Sequence, residues 1–224
     1  MTNSTYPPAP WHLQGSALIN LHLVKTTTSR RWIPPELDLV SLWPGRTLAG
    51  VYLSSYEAGS VLLYHELIVA AGMVRYRGQV GFWISHIYVD NPNALAGGHE
   101  IWQLPKEMAT FNWEVDQIQV FQEDQLLYQL AYHQPAFKTG SLPFSGQVIS
   151  GMREELLAFT GRFQGSWGLI SAQVQISDSA PFADLKLESP FLSFQGSPLS
   201  FEAGIPYGVG ARILQSTGQE APAR

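Results

Sequence analysis

Extended apolar runs recur along this chain at hairpin spacing, and no long helical pattern separates them. The clearest are Ala17–Val24, Gly45–Tyr56, Val61–Ala71 and Gly81–Val89, with shorter ones around Trp113–Phe121, Leu126–Tyr132 and residues 161–176. Turn-forming clusters punctuate them: Glu57-Ala58-Gly59-Ser60, Asp90-Asn91-Pro92-Asn93 and Gln122-Glu123-Asp124-Gln125. Strands joined this way, without alternating long helices, predict a mainly β fold: an antiparallel sheet that closes into a barrel or curls on itself. Helices are expected only as short pieces. One runs from Thr27 or Thr28 to Ile33 and is stopped by Pro34-Pro35, another covers Gly151–Phe159, and residues 93–98 read as a connection. Leu185-Lys186-Leu187 and Leu192-Ser193-Phe194 read as short strands broken by Pro190 and Pro198, and Gly208-Val209-Gly210 as a loop with too few glycines for a dinucleotide site. One domain is expected over residues 11–215, after a loose lead-in of residues 1–10 and before a disordered tail of residues 216–224.

Several functions are disfavoured by what the chain lacks. It has no cysteine, hence no disulfide framework, thiol nucleophile or thiolate metal site. A formal charge of -5 without any dense Lys/Arg cluster argues against nucleic acid as a partner. No apolar run approaches the roughly 20 residues that span a bilayer, and the start lacks a secretory signal, so a cytoplasmic protein is expected. The pairs His65-Glu66 and His99-Glu100 invite a metal reading. Neighbours on a strand point to opposite faces, so the first pair is not expected to ligate one ion, and no His-Glu-x-x-His follows either; no metal is expected, and no cofactor.

Two charged residues stand out against this apolar background. Glu66 lies within the nearly continuous apolar run Val61–Ala71; as a strand, that run puts Tyr64, Glu66 and Ile68 on one face and Leu63, His65 and Leu67 on the other. Lys106, in a chain whose other lysines are Lys25, Lys138 and Lys186, sits among Trp102, Leu104, Pro105, Met108 and Phe111. Pro105 suits the first position of a helix, which would place Lys106 in its first turn, where the positive helix end and apolar surroundings disfavour an ammonium. A neutral lysine amine is a nucleophile toward ketones and aldehydes. On these residues alone, a lysine snorkelling from a short surface helix is the stronger reading.

A resemblance changes that balance. Tyr64-His65-Glu66, Tyr88-Val89-Asp90-Asn91, Gly98, Glu100 and the pair Pro105-Lys106 resemble the active-site segment of the acetoacetate decarboxylase family, over roughly residues 11 to 111. Trp11, the run Leu21–Lys25 and Pro34-Pro35-Glu36-Leu37 look closer still to the branch containing a plant protein required for neoxanthin accumulation. The resemblance implies a barrel in which Lys106 forms a Schiff base with a ketone or β-keto acid and Glu66 handles protons, with Tyr64, Gln14, Val51, Trp102 and Leu104 facing the substrate. It is compatible with a homo-oligomer. Three positions depart from the family pattern: Gln14 stands where it has an arginine, Val51 where it has a second glutamate, and Glu107 where it has a second lysine. A larger, more apolar carbonyl compound than acetoacetate is therefore expected. The alternative is a barrel that binds a hydrophobic or isoprenoid-like ligand, or assists a partner enzyme, without turnover.

Overall fold

The computed structural model describes residues 6–187 and 189–213; the expected tail and the first half of the lead-in lie outside them. In chain order the elements are β1 (Trp11–Lys25), α1 (Thr26–Ser29), β2 (Asp38–Leu39), β3 (Arg46–Tyr56), β4 (Tyr64–Tyr76), β5 (Gln79–Val89) and α2 (Pro92–Trp102). There follow β6 (Lys106–Met108), β7 (Thr110–Trp113), β8 (Gln117–Gln122), β9 (Gln125–Tyr132), β10 (Ser141–Ser150), β11 (Glu155–Leu169), β12 (Ala172–Ile176), β13 (Leu192–Ala203) and β14 (Tyr207–Ala211). A mainly β fold with few, short helices is thus what forms.

Strands β4-β3-β1-β13-β11-β10-β5 lie side by side, and β5 pairs back onto β4, so the sheet closes on itself. Every pairing around this ring is antiparallel except β10 with β5, which are parallel and meet only at Val148↔Phe82 and Ile149↔Trp83. That contact is the seam of the barrel. The short strand β6 adds to β5 in parallel, and β14 adds to β11. A second sheet, β12-β9-β8-β7, packs its apolar face on the outside of the barrel wall.

The wall is consequently apolar on both faces. Along β4, Tyr64, Glu66 and Ile68 face the interior, while Leu67 and Val69 belong to the core beneath the second sheet. In β5, Ser85 is skipped in the pairing with β4, which resets the alternation so that Phe82, Ile84, Ile87 and Val89 all point inward. In β1, Leu18 and Asn20 point outward, and the buried Asn20 is satisfied there: its amide donates to the Tyr128 hydroxyl at 3.1 Å and its carbonyl accepts from Ser193 Oγ at 2.7 Å.

Four local expectations fail. Gly151–Phe159 is not a helix: from Glu155 onward it is β11, which pairs with β10 on one side and β14 and β13 on the other, and non-local pairing outweighs a modest helical preference. Leu185 closes a 3-10 turn instead of a strand, with its side chain fully buried. Pro198 does not end β13, because it falls where the pairing with β1 and β11 shifts register, and a bulge asks nothing of the missing N–H. Gly208-Val209-Gly210 is strand, paired with Leu156 and Leu157, and is not a loop.

His86 lies under the second layer, edge-on to Trp32 at 4.8 Å and tilted against Phe182. Loss of hydration on burial lowers its pKa to about 4, against a smaller upward pull from Glu107. The unfolded chain takes up a proton near pH 6.5 that the folded chain refuses until about pH 4, so stability falls as pH drops through that window. The loss is about 3 kcal/mol. Urea titrations at pH 7 and pH 4.5 should show a drop in the wild type that His86→Phe lacks; equal drops in both would remove His86 as the cause.

Candidate functional site

The lysine reaches the interior by an unexpected route. Residues 93–98 are not a connection but part of helix α2, whose start is capped by Asn91: its side chain accepts from the backbone N–H of Asn93 at 2.9 Å and of Ala94 at 3.2 Å, and Pro92 takes the first position. The helix stops at Gln103, in the left-handed conformation, and the N–H of Leu104 bonds back to the carbonyl of Gly98 at 3.0 Å. Pro105 is therefore a residue that follows a helix, not one that starts it. Lys106 opens β6 opposite Ile87, and it lies beyond the C-terminal end of α2, so the positive helix end expected beside it is absent. His99 fixes the turn by hydrogen-bonding the Lys106 carbonyl oxygen through Nε2 at 2.7 Å.

Strand alternation then sends the Lys106 side chain inward and Glu107 outward, where Glu107 accepts from Gln122 at 2.7 Å near the surface. The acidic neighbour in sequence is thus on the opposite face from the amine. Lys106 Nζ donates to Glu66 Oε1 at 2.7 Å, and both side chains are about 95% removed from solvent, at 4% and 5% exposure. The nitrogen sits 5.2 Å from the ring centre of Tyr64 and 5.8 Å from that of Trp11. Trp11 packs edge-on against Trp102 at 4.9 Å, and Trp102 is held by its indole N–H to the Gly204 carbonyl at 2.8 Å.

The two glycines of α2 let the helix come this close. A Cβ on Gly98 would stand 2.4 Å from Lys106 Cδ, and one on Gly97 2.4 Å from Trp11 Cζ2. Both contacts are shorter than side chains tolerate, so helix and lysine share the space of two missing methyl groups.

Lys106 and Glu66 lie in the wall of a cavity of about 660 Å³ inside the barrel. Tyr64, Trp102 and Leu104 also line it, as does Phe82, whereas the aromatic side chains of Trp83 and Tyr88 belong to the outer core. Lys106 and Glu66 are the only charged side chains in the lining among the described residues. Gln14 is elsewhere. It is exposed, with its amide against Gly59 outside the cavity. Val51 reaches the cavity wall, but its side chain packs in the core beneath the second sheet, and its neighbour Tyr52 faces in. Tyr52 was not foreseen, although strand parity with Tyr64 and Glu66 through the β3–β4 pairing marks its position: Ser54 lies opposite Glu66 and Tyr52 opposite Ile68.

Tyr52 and Tyr56 touch through their hydroxyls at 3.1 Å. Desolvation raises the pKa values of Tyr52, Tyr56 and Tyr64, with the Glu66 charge adding to it in each case, so all three stay neutral hydroxyls. The first His-Glu pair splits as strand geometry requires: His65 turns outward to Asp90 at 2.7 Å while Glu66 turns in. Its bonds to His65 outweigh partial desolvation and hold the Asp90 carboxyl below the usual range. Glu100 pairs on the surface with Arg153 at 2.7 Å. Among the described residues no group of three or more His, Asp or Glu side chains could hold a metal ion, and no helix is long and apolar enough to cross a membrane.

A closed sheet with one buried lysine set against one buried glutamate at the end of an apolar cavity defines a distinct class of barrel. Comparison with known proteins gives the family. The family model for acetoacetate decarboxylase (ADC) matches residues 1–155, and the chain belongs to that family. The protein NEOXANTHIN-DEFICIENT 1 of Solanum lycopersicum is 35% identical over 114 residues, covering 51% of this chain and 38% of that protein. Acetoacetate decarboxylase 3 of Mesorhizobium japonicum is 29% identical over 118 residues, covering 49% of this chain and 41% of that protein. The matches thus span about two fifths of these relatives' own length. Among solved structures, acetoacetate decarboxylase from Legionella pneumophila superposes with a TM-score of 0.72 at 15% identity, over 92% of this chain and 90% of that one. The enduracididine biosynthesis enzyme MppR, complexed with the condensation product of pyruvate and imidazole 4-carboxaldehyde, superposes with a TM-score of 0.63 at 15% identity, over 94% and 91%. The fold of the described residues is that of these proteins.

Proposed function

We propose that this protein is a Schiff-base enzyme acting on a ketone or β-keto acid other than acetoacetate itself, with Lys106 as nucleophile and Glu66 as proton carrier. The observation that carries the reading is the 2.7 Å contact between Nζ and Oε1 deep in an apolar cavity. Glu66 takes one proton from the ammonium, which frees the lone pair. The amine adds to the carbonyl carbon, and its own proton passes to the oxygen. Glu66 then returns its proton to that hydroxyl, water leaves, and a protonated imine remains. The net change is one ammonium and one carbonyl to one iminium and one water. The iminium draws electrons from the neighbouring bond, so a β-carboxylate departs as carbon dioxide; alternatively an α-proton leaves and a carbon–carbon bond is made or broken. The MppR structure complexed with a pyruvate condensation product supports carbonyl chemistry in this fold.

The test is reduction with cyanoborohydride in the presence of a panel of ketones and keto acids. An adduct of the mass of the reduced imine is expected on the peptide carrying Lys106; no adduct with any member would overturn the proposal. A second reading, a barrel that holds a hydrophobic ligand without turnover, is favoured by the extent of the apolar lining well away from Lys106 and by the likeness to NEOXANTHIN-DEFICIENT 1. It predicts a bound apolar compound and no adduct.

A further inference from the structure

The cavity is far longer than a small keto acid needs. Along β1 its lining runs from Trp11, whose ring centre lies 5.8 Å from the lysine nitrogen, to Leu21, and along β11 from Phe159 to Trp167. The β11 span is eight residues and the β1 span longer, so each covers at least about 26 Å at roughly 3.3 Å per residue. Allowing for strand tilt in a closed barrel, this is roughly 20 Å along the axis. The far end is a mouth. There β10 has left β5, to which it pairs only at Val148 and Ile149, and its exposed first half brings Leu142 and Phe144 to the rim. These two are partly bare to solvent, at 51% and 41% exposure, which suits a rim that apolar material crosses.

Volume and charge narrow the occupant. At roughly 30 Å³ per water-sized atom, 660 Å³ holds about twenty non-hydrogen atoms. A carboxylate beside the reacting carbonyl would meet the anionic Glu66 and, among the described residues of the lining, no cation but the lysine it must react with. We propose that the cavity takes a long, unbranched or methyl-branched apolar ketone or aldehyde end-on, with its carbonyl at Lys106 and its hydrocarbon tail toward Phe144 and Trp167, and with no carboxylate near the carbonyl. The assignment of the carbonyl end rests on the Schiff-base reading; that of the tail rests on the cavity alone.

The probe is the series of 2-alkanones from butanone to 2-tridecanone, measured two ways: by the rate of reductive trapping at Lys106 and by binding, read from tryptophan fluorescence. Both should rise by up to about fourfold per added methylene. The 3-oxo acid of equal length should trap at least about tenfold more slowly than the ketone. Gly50→Leu is the blocking variant, because a Cβ there meets only the Asn20 carbonyl at 3.7 Å and Leu21 Cδ2 at 3.9 Å, ordinary contacts. It should lower the ratio of the tridecanone to the hexanone rate by at least about tenfold, and Ile19→Trp, nearer the middle, should do the same at a shorter chain length. Trapping that ignores chain length, or a ratio that neither variant moves, overturns the long-tail assignment and leaves the Schiff base intact. Length-graded binding with no trapping at all overturns the Schiff base and the placing of the carbonyl, while the tail site stands.

Discussion

Lys106→Met is expected to cost about 3 to 5 kcal/mol of folding stability at neutral pH, far more than the loss of one surface lysine. The reason is the carboxylate left behind. Glu66 is 5% exposed, and Lys106 is its ion-pair partner; methionine matches the volume of the lysine stem but offers the carboxylate nothing. The double variant Lys106→Met/Glu66→Gln removes both charges and should recover most of the deficit, since an uncharged pair of similar shape does not need the missing attraction. Denaturant unfolding of the four proteins of this cycle gives the coupling directly. A single variant within about 1 kcal/mol of the wild type would show that Glu66 does not depend on Lys106, contrary to the geometry.

Glu66→Gln, with Lys106 kept, should slow imine formation by about 10² to 10⁴. The amide oxygen can still accept a hydrogen bond from Nζ across the same distance, so position and packing are conserved while the capacity to take a proton is lost. Stopped-flow or quenched trapping at saturating cyanoborohydride isolates this step. Glu66→Asp, which can still carry a proton but at greater distance, should fall between. A change below about threefold in the amide variant would leave Glu66 as a charge partner only, with some other group or water moving the proton.

The strands were legible because each is long and apolar, with turn residues at its ends: β3, β5 and the β8–β9 hairpin fall close to where hydropathy alone puts them. Glu66 was legible as an inward-facing acid because period-two alternation held through Tyr64 and Ile68. What local pattern could not carry was the partner of each strand. Glu155–Phe159 has helix-compatible residues, and only its neighbours β10 and β14 make it a strand. The route to Lys106 was misread for a similar reason. Pro105 serves equally to open a helix or to follow one, and the glycines at 97 and 98, which discourage a helix reading, are required by contacts with Trp11 and Lys106 that are distant in sequence. Tyr52, the neighbour of Val51, was not legible in the same way: likeness to a family aligns positions, whereas the face a side chain takes is fixed by its pairing with β4.

Strand β4 is a party wall, furnished on both sides. Its even-numbered residues Tyr64, Glu66 and Ile68 address the chamber, and its odd-numbered Leu67 and Val69 address the slab of hydrocarbon under the second sheet. Displacement of this strand by a single residue would lodge a carboxylate in that slab and present Leu67 to the amine, so neither compartment tolerates it. The alignment of acid and amine is in this way guarded by an interior that no substrate ever visits, and substitutions beneath the second sheet should be felt at Lys106.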